Sequence, residues 1–435
     1  MLSAADNELI TQVGPGTPGG EMMRQYWMPV LESLDLPGPD TGPMRVRLLG
    51  EDLVAFRDSN GKVGLLAERC AHRGASLFFG RNEECGLRCV YHGWKYDVDG
   101  RCVDMPNEPG DSTFKERIRQ TAYPCQERNG IVWAYLGSRD DPPPLPLLEA
   151  TCVPENQRYV MRTLRECNWL QALEGDVDSS HISFLHAVFN PEHFPFQDFE
   201  FRHRDKAPVF QVQTTDYGAV YGARRTIDEQ HHWRIAQFLM PFYTIIPPND
   251  PSRIHLSAWV PIDDHNTRFW GIVWNPAEPM DEEELLHRGR QQPIPGFELD
   301  RYLPDGRMPH ERGRLAGNAA NDYLIDYQAQ QTTRFSGIPT FHLQDKAMTE
   351  SMGPIADRST EHLGKSDMMI IQVRRRILNA IKAYRADKAL PPGVDDPKVY
   401  GVRSASLLLD KETNWLDGAS EYLKAFTDTP VAFVV

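Results

Sequence analysis

A chain of 435 residues with 40% hydrophobic content exceeds what one core ordinarily supports and can fill two. Its 61 acidic and 47 basic residues leave a net charge of −14 spread along the chain, which argues against nucleic acid or an anionic membrane as the main partner. Met1 to Gly16 lacks the basic and apolar regions of a signal peptide, and no apolar run is long enough to span a bilayer, so the expected location is cytoplasmic.

A helix is predicted from about Glu21. Residues 44 to 137 then read as short strands, among them Met44 to Leu49, Asp52 to Arg57 and Gly130 to Leu136, with Ser59-Asn60-Gly61 and Asp99-Gly100 as turns. The stiff run Asp140-Asp141-Pro142-Pro143-Pro144-Leu145-Pro146 can enter neither a helix interior nor a central strand. It sets the expected boundary between an all-β domain, 1–148, and a second domain, 149–435. Asn168 to Phe189 reads as helical. Period-two stretches follow at Val209 to Thr214, Ala219 to Ile227, Arg234 to Ile246, Arg253 to Ile262 and Arg268 to Trp274, an order that predicts an antiparallel sheet. A long helix is predicted from Ser366 to Leu390, with Ile370, Val373, Ile377, Ile381 and Tyr384 as its apolar stripe and Pro391-Pro392 as its stop. Its basic residues Arg374, Arg375, Arg376, Lys382 and Arg385 read as a solvated face or, alternatively, a docking patch. The fold class is therefore α+β: an all-β domain followed by an α+β domain whose antiparallel sheet is flanked by helices.

Seven cysteines, an odd number and all at or before residue 167, do not resemble a disulfide framework, so metal binding is the better use for some of them. Cys70-Ala71-His72-Arg73-Gly74-Ala75 and Cys89-Val90-Tyr91-His92-Gly93-Trp94 each offer a thiolate and an imidazole on one loop. Two such loops can clamp a centre in which Cys70 and Cys89 hold one iron and His72 and His92 the other, the mixed set of a Rieske [2Fe–2S] cluster. A Cys₂His₂ zinc site uses the same ligand types. Cys85 lies near Cys89 but lacks a histidine at matching spacing and reads as structural, as do the other four cysteines. Farther on, Asp178-Ser179-Ser180-His181 leads to His186, two histidines with an acid three residues before the first. Two histidines and a carboxylate are the facial set of non-haem Fe(II) oxygenases. Residues five apart on an ideal helix diverge by roughly 140°, so the helix is expected to be distorted between His181 and His186, by a π-bulge for instance. Spacing alone does not choose the third acid.

Arg73-Gly74-Ala75, Leu77, Gly80, Tyr91, Gly93-Trp94, Tyr96 and Gly100, with the Asp-x₂-His-x₄-His pattern, resemble the Rieske-type aromatic-ring hydroxylating oxygenases over nearly the whole chain. The likeness is greatest to the phthalate dioxygenase-like branch, through Asn168-Trp169-Leu170-Gln171, Asp178-Ser179-Ser180-His181 and Glu350-Ser351-Met352-Gly353-Pro354. The resemblance implies a catalytic domain of the helix-grip, START-like kind, with a [2Fe–2S] cluster on Cys70, His72, Cys89 and His92. It implies Fe(II) on His181, His186 and an acid that opens an Asp-x₄-Glu segment; Asp345 fits this, ahead of Glu350, Asp322 and Asp326. It implies a head-to-tail homotrimer, or a hexamer of stacked trimers, in which Asp178 bridges an iron ligand to His72 of the adjacent chain; Asn168 joins Asp178 as a candidate catalytic residue. It implies dioxygen as the co-substrate and electrons drawn from NADH through a flavin and iron–sulfur reductase.

The implied reaction is dihydroxylation of a small aromatic substrate, with a phthalate, isophthalate or substituted benzoate as the expected class. Monohydroxylation and O- or N-dealkylation use the same metals. A substrate carboxylate calls for a buried arginine, and Arg225 and Arg234 are the candidates. An electron carrier would need only the first domain, and a zinc-stabilised binding protein would not need His181, His186 and Asp345 together.

Overall fold

The computed structural model describes residues 1–190, 197–281, 285 and 298–434, with backbone only at 197–199. The first part is all-β, as its pattern predicts. Met44–Leu48, Glu51–Arg57, Val63–Ala67 and Ala122–Tyr123 form one antiparallel sheet, and Arg81–Glu83, Gly86–Arg88, Lys95–Tyr96 and Cys102–Asp104 form a second. A third sheet joins Trp27–Glu32, Ile131–Tyr135 and Cys125–Arg128. Cys85 sits at the tip of a two-residue hairpin loop where Glu84 and Cys85 both have positive φ, and its Sγ accepts from Asn60, which fits a turn position. Two short helices, Ala4–Thr11 and Pro18–Met23, precede these sheets. Thr17 caps the second, which starts three residues before the predicted position.

The second part is built on an eight-stranded antiparallel sheet. Its order is Arg158–Arg165, Thr267–Trp274, Ile254–Pro261, Tyr243–Ile246, Gln230–Leu239, Gly218–Ile227 and Val209–Thr214, with Ala405–Asp410 also pairing to Gln230–Leu239. The single strand predicted from Arg234 to Ile246 is two strands, because Pro241 has no N–H to donate and the chain turns there. Met368–Asp387 is the long C-terminal helix, and of its predicted stripe Val373, Ile377, Ile381 and Tyr384 are buried and Ile370 partly so. Its cations are largely spoken for: Arg374 is buried against Glu174 and Glu361, Arg376 donates to the Thr215 carbonyl, and Lys382 pairs with Asp6. That leaves little of a basic docking patch.

A change of architecture occurs at the proline run, but no gap in the core does. One buried cluster runs from Ile10 through Trp27, Trp133 and Trp169 to Ile381, while Val54, Phe56, Leu66, Leu77, Trp94 and Tyr96 form a separate core under the Cys/His loops. The Leu49 and Gly50 N–H groups donate to the carbonyls of Pro261 and Ile262, and Arg47 pairs with Asp263, so the first part is fixed to the turn that joins two strands of the large sheet. Near the boundary, the Glu149 carboxylate accepts from Arg403 Nε and Nη2, each at 2.7 Å, from Trp274 Nε1 and from the Phe426 N–H. Glu149 and Arg403 are both almost fully buried. Arg403→Met would strand that carboxylate without its cation, and breaking a buried pair typically costs about 3–5 kcal/mol. Chemical denaturation should therefore show a loss of that size in the unfolding free energy, with the native visible spectrum retained below the transition.

Candidate metal centres

The two Cys/His loops have the same backbone scheme. The Cys70 N–H donates to the Ala75 carbonyl and the Gly74 N–H to the Cys70 carbonyl; in the second loop the Cys89 N–H donates to Trp94 and the Gly93 N–H to Cys89. Gly74 and Gly93 both have positive φ, +74° and +82°, which glycine adopts without cost. Cys70 and Cys89 are buried and adjacent, whereas His72 and His92 are partly exposed with ring centroids 4.4 Å apart. Trp94 stacks on His72 at 4.4 Å, and the Tyr96 hydroxyl lies 3.2 Å from Cys70 Sγ. Burial pushes the Cys89 thiol up, and neighbouring Cys70 pushes in the same direction against the N–H groups of Tyr91 and His92. A buried thiol raised in this way ionises readily only beside a cationic group. His72 Nδ1 is buried without a hydrogen-bond partner, the state expected of a ligating nitrogen. Among the described residues, no three donors of these loops lie within 4.8 Å of one another, as a single zinc ion would demand. The donor set fits a two-iron cluster better than a single ion.

The second donor group does converge. His181, His186 and Asp345 each bring one ligand atom into a set within 4.8 Å. His181 Nε2 is 3.2 Å from His186 Nε2, and Asp345 Oδ1 is 3.3 Å from His186 Nε2 and 3.7 Å from His181 Nε2. Burial works to lower the His181 pKa, but Asp178 and Asp345 raise it above the imidazole range; burial works to raise Asp345, but His186 and His181 hold it well below the carboxylate range. Facing lone pairs at such distances repel unless a cation or proton lies among them, so the set fits a metal with an N₂O ligand group.

The segment carrying the histidines is not the long helix predicted. Trp169–Asp176 is α-helical, the chain then leaves the helix, and His181–Ser183 forms one 3₁₀ turn. Asp178 Oδ1 accepts from the Ser180 N–H, a side-chain bond that competes with helix. This short turn, not a π-bulge, brings His181 and His186 to one point. Asp345 comes from the Phe341–Ser351 helix, and its sequence-level rivals are engaged elsewhere. Glu350 accepts from the Glu166 N–H, Lys346 and the Tyr323 hydroxyl; Asp326 caps the Tyr327–Thr332 helix; Asp322 is exposed on a turn.

Gln344, which sequence reasoning missed, fixes the second histidine. Its Nε2 donates to the Ile338 carbonyl at 2.8 Å, which turns Oε1 toward His186 Nδ1 at 2.6 Å and makes that nitrogen the donor. His186 Nε2 is thereby left as a lone pair facing His181 and Asp345. Only adjacency to Asp345 could have flagged it. Asp176 was also missed: it accepts from the Thr244 hydroxyl at 2.7 Å and Trp259 Nε1 at 2.9 Å, and burial raises its pKa. Asp178 Oδ2 lies 3.6 Å from His181 Nδ1, and its side chain is 25% exposed.

These donors open on a cavity of about 350 Å³ walled by Tyr159, Met161, Tyr221, Trp259, Phe269 and Phe341. Arg234 lines it, with only 4% of its surface exposed and Nη2 3.5 Å from Asn249 Oδ1. Arg202 and Arg165 also line it. Arg225 does not: fully buried, it donates to the carbonyls of Asp205 and Ser179 where its strand passes beneath the Gln197–Arg204 helix, so it braces the wall from behind. Asn168 is likewise removed from the chemistry. Its amide donates to the Thr11 and Asp264 carbonyls and accepts from the Leu170 N–H, capping the helix that precedes the histidines.

A family model described as the Rieske [2Fe-2S] domain matches residues 26–121, and one described as "LigXa C-terminal domain like" matches residues 134–429. The oxygenase subunit of 3-chlorobenzoate-3,4-dioxygenase from Comamonas testosteroni is 43% identical across 95% of this chain and 97% of its own. That of phthalate 4,5-dioxygenase from Pseudomonas putida is 37% identical across 99% and 98%. The solved structure of NdmA from Pseudomonas putida CBB5 with caffeine matches with a TM-score of 0.59 at 20% identity, over 87% of this chain and 96% of that one, a likeness of fold alone.

Removing an outer hydrogen bond at a metal site typically weakens retention by about 10–100-fold. Gln344→Leu should show a loss of that order in iron affinity when iron per chain is titrated against a chelator. Asp345→Ala should lose this iron altogether, while the visible absorbance of the cluster stays unchanged in both.

Proposed function

The chain belongs to the Rieske non-haem iron oxygenases, as the oxygenase component of a dioxygenase, and on that footing we propose that it hydroxylates an aromatic carboxylate. Cys70, Cys89, His72 and His92 would hold the cluster and His181, His186 and Asp345 the Fe(II), which when bound supply one-electron reduction and dioxygen activation. The observation that carries the substrate reading is the cavity itself: the three-donor set opens on aromatic walls, Trp259, Phe269 and Phe341, with the Arg234 guanidinium among the lining groups. A flat ring fits such walls, and a buried guanidinium gives a carboxylate a charge-assisted hydrogen bond. Phthalates and halogenated benzoates, on which the relatives act by name, are the first candidates.

Each side chain has a separate task. Gln344 keeps the His186 tautomer, and Asp178 holds the ring of His181 from the opposite edge. Asp178 is partly exposed, and we assign it the bridge to His72 of an adjacent chain in a homotrimer or stacked trimers. Burial works to raise its pKa, but hydrogen bonds from His181 and the Ser180 N–H outweigh this and keep it an acceptor. A flavin and iron–sulfur reductase drawing on NADH is the proposed electron source.

Two experiments test this reading. Reductase-coupled turnover of 3-chlorobenzoate and the three phthalates under ¹⁸O₂ should convert at least one acid to a product carrying both labelled oxygens. Uptake of a single label would point to monooxygenation, and no product from any acid would reject the substrate class. Asp178→Asn should keep both metal centres yet slow single-turnover oxidation of the cluster by about 10–100-fold, the usual loss for an outer carboxylate. A wild-type rate would assign Asp178 to local packing.

A further inference from the structure

The cavity contains a polar device that neither metal centre uses. His342 lines it, and His342 Nδ1 lies 2.8 Å from Asp300 Oδ2. The Asp300 side chain is 1% exposed and also accepts from the Thr340 hydroxyl. Burial works to raise the Asp300 pKa, but the His342 and Thr340 hydrogen bonds hold it below the usual carboxylate range. Asp300 is therefore an acceptor, and His342 Nδ1 must be the donor. The opposite edge of the ring, with Nε2, is left for the cavity, and the side chain keeps 19% of its surface exposed. Arg165 Nη1 donates to the His342 carbonyl at 2.9 Å, and the Phe269 ring lies 5.8 Å away, so backbone and ring are both held. A buried carboxylate is a costly way merely to pack an imidazole, since an apolar pair of similar volume usually serves stability as well. A carboxylate behind a histidine instead fixes which nitrogen is presented.

Phe269, beside His342, is on the Thr267–Trp274 strand, whereas Arg234 is on Gln230–Leu239. Ile254–Pro261 and Tyr243–Ile246 lie between these two strands in the sheet order. Across the sheet this is three strand spacings, about 14 Å, and by the pairing register Phe269 is level with Met240, six residues along the strand from Arg234. His342 and Arg234 therefore line separate ends of one cavity, with its aromatic walls between them.

We propose that the Asp300–His342 pair is the second pole of the substrate site, hydrogen-bonding an oxygen substituent of a ring whose carboxylate is held by Arg234. The substrate class is then an aromatic acid with a second carboxylate or a hydroxyl group, in preference to benzoate. Nε2 is the atom that meets this substituent, because Asp300 engages Nδ1. This inference rests on the aromatic-acid reading above.

Calorimetric binding to the intact oxygenase tests it, with benzoate, 3- and 4-hydroxybenzoate, isophthalate and terephthalate as probes. At least one disubstituted acid should bind about tenfold or more tightly than benzoate, the range expected for a hydrogen bond to a charged group. His342→Leu should weaken that acid to about the level of benzoate, and Asp300→Asn should remove part of the difference, with iron content and visible spectrum unchanged. An equal loss for benzoate and the disubstituted acid would make His342 a packing residue, and undiminished selectivity would remove it from the site; either result overturns the proposal. Benzoate bound with no gain from any second group overturns it from the wild-type protein alone, whatever the folding of the variants. No binding by any acid, benzoate included, would reject the aromatic-acid reading and this proposal with it.

Discussion

Everything in the catalytic part depends on one convergence: Asp345, on a helix more than 150 residues away in sequence, must meet the two histidines of a short irregular turn. Neither segment would hold that position alone. The Asp345 helix is tied down by Lys346, 1% exposed, which bridges Glu350 and Glu166, and by the Glu166 N–H donating to Glu350 at 2.7 Å. Gln171 joins it to the helix before the histidines by donating to the Thr349 and Gly353 carbonyls. Glu174 on that same helix takes guanidinium groups from both Arg358 and Arg374. Buried ion pairs of this kind contribute little net stability, and half of one is worse than none. Their value here is geometric, because they fix the Asp345 helix and the helix that leads into the histidines against their neighbours.

How far this was legible from sequence follows from the range over which each feature is encoded. The cluster loops were legible as local pattern: a cysteine and a histidine two residues apart in one loop and three in the other, with a glycine soon after each histidine, sit on a backbone scheme that repeats in both. Most period-two strands were legible for the same reason, but Pro241 splits the run predicted from Arg234 to Ile246, its first strand begins earlier at Gln230, and Arg158–Arg165 and Ala405–Asp410 were not foreseen. His181 and His186 were legible as a pair but not in their local form, because a run containing Asp178-Ser179-Ser180 trades helix for side-chain bonds to its own backbone. Asp345 was reached through family likeness, since composition offers 61 acids. Gln344, Asp176 and Asp300 were not legible at all. Their roles exist only when distant strands and helices are brought together.

Arginine shows the same limit from another side. Alternation placed Arg225 on the face shared with Tyr221, and it is on that face, but the strand outruns the cavity and its guanidinium serves two carbonyls. Arg374 looked like part of a basic surface and is a buried counter-ion. A sequence with a net charge of −14 can thus keep much of its positive charge inside, where it pairs with acids, stacks on aromatic rings or faces a cavity. Net charge describes the surface; it says little about the site.

We propose that one chain carries two iron centres of different kinds, a two-iron cluster on Cys70, Cys89, His72 and His92 and a single iron on His181, His186 and Asp345. Iron, zinc and acid-labile sulfide assayed on the same purified sample test it most directly. The ligand sets predict about three irons and two sulfides per chain, with zinc absent from the Cys/His loops. A zinc ion with no labile sulfide would contradict the account at its foundation, as would two irons and two sulfides in a preparation that turns over substrate at full rate.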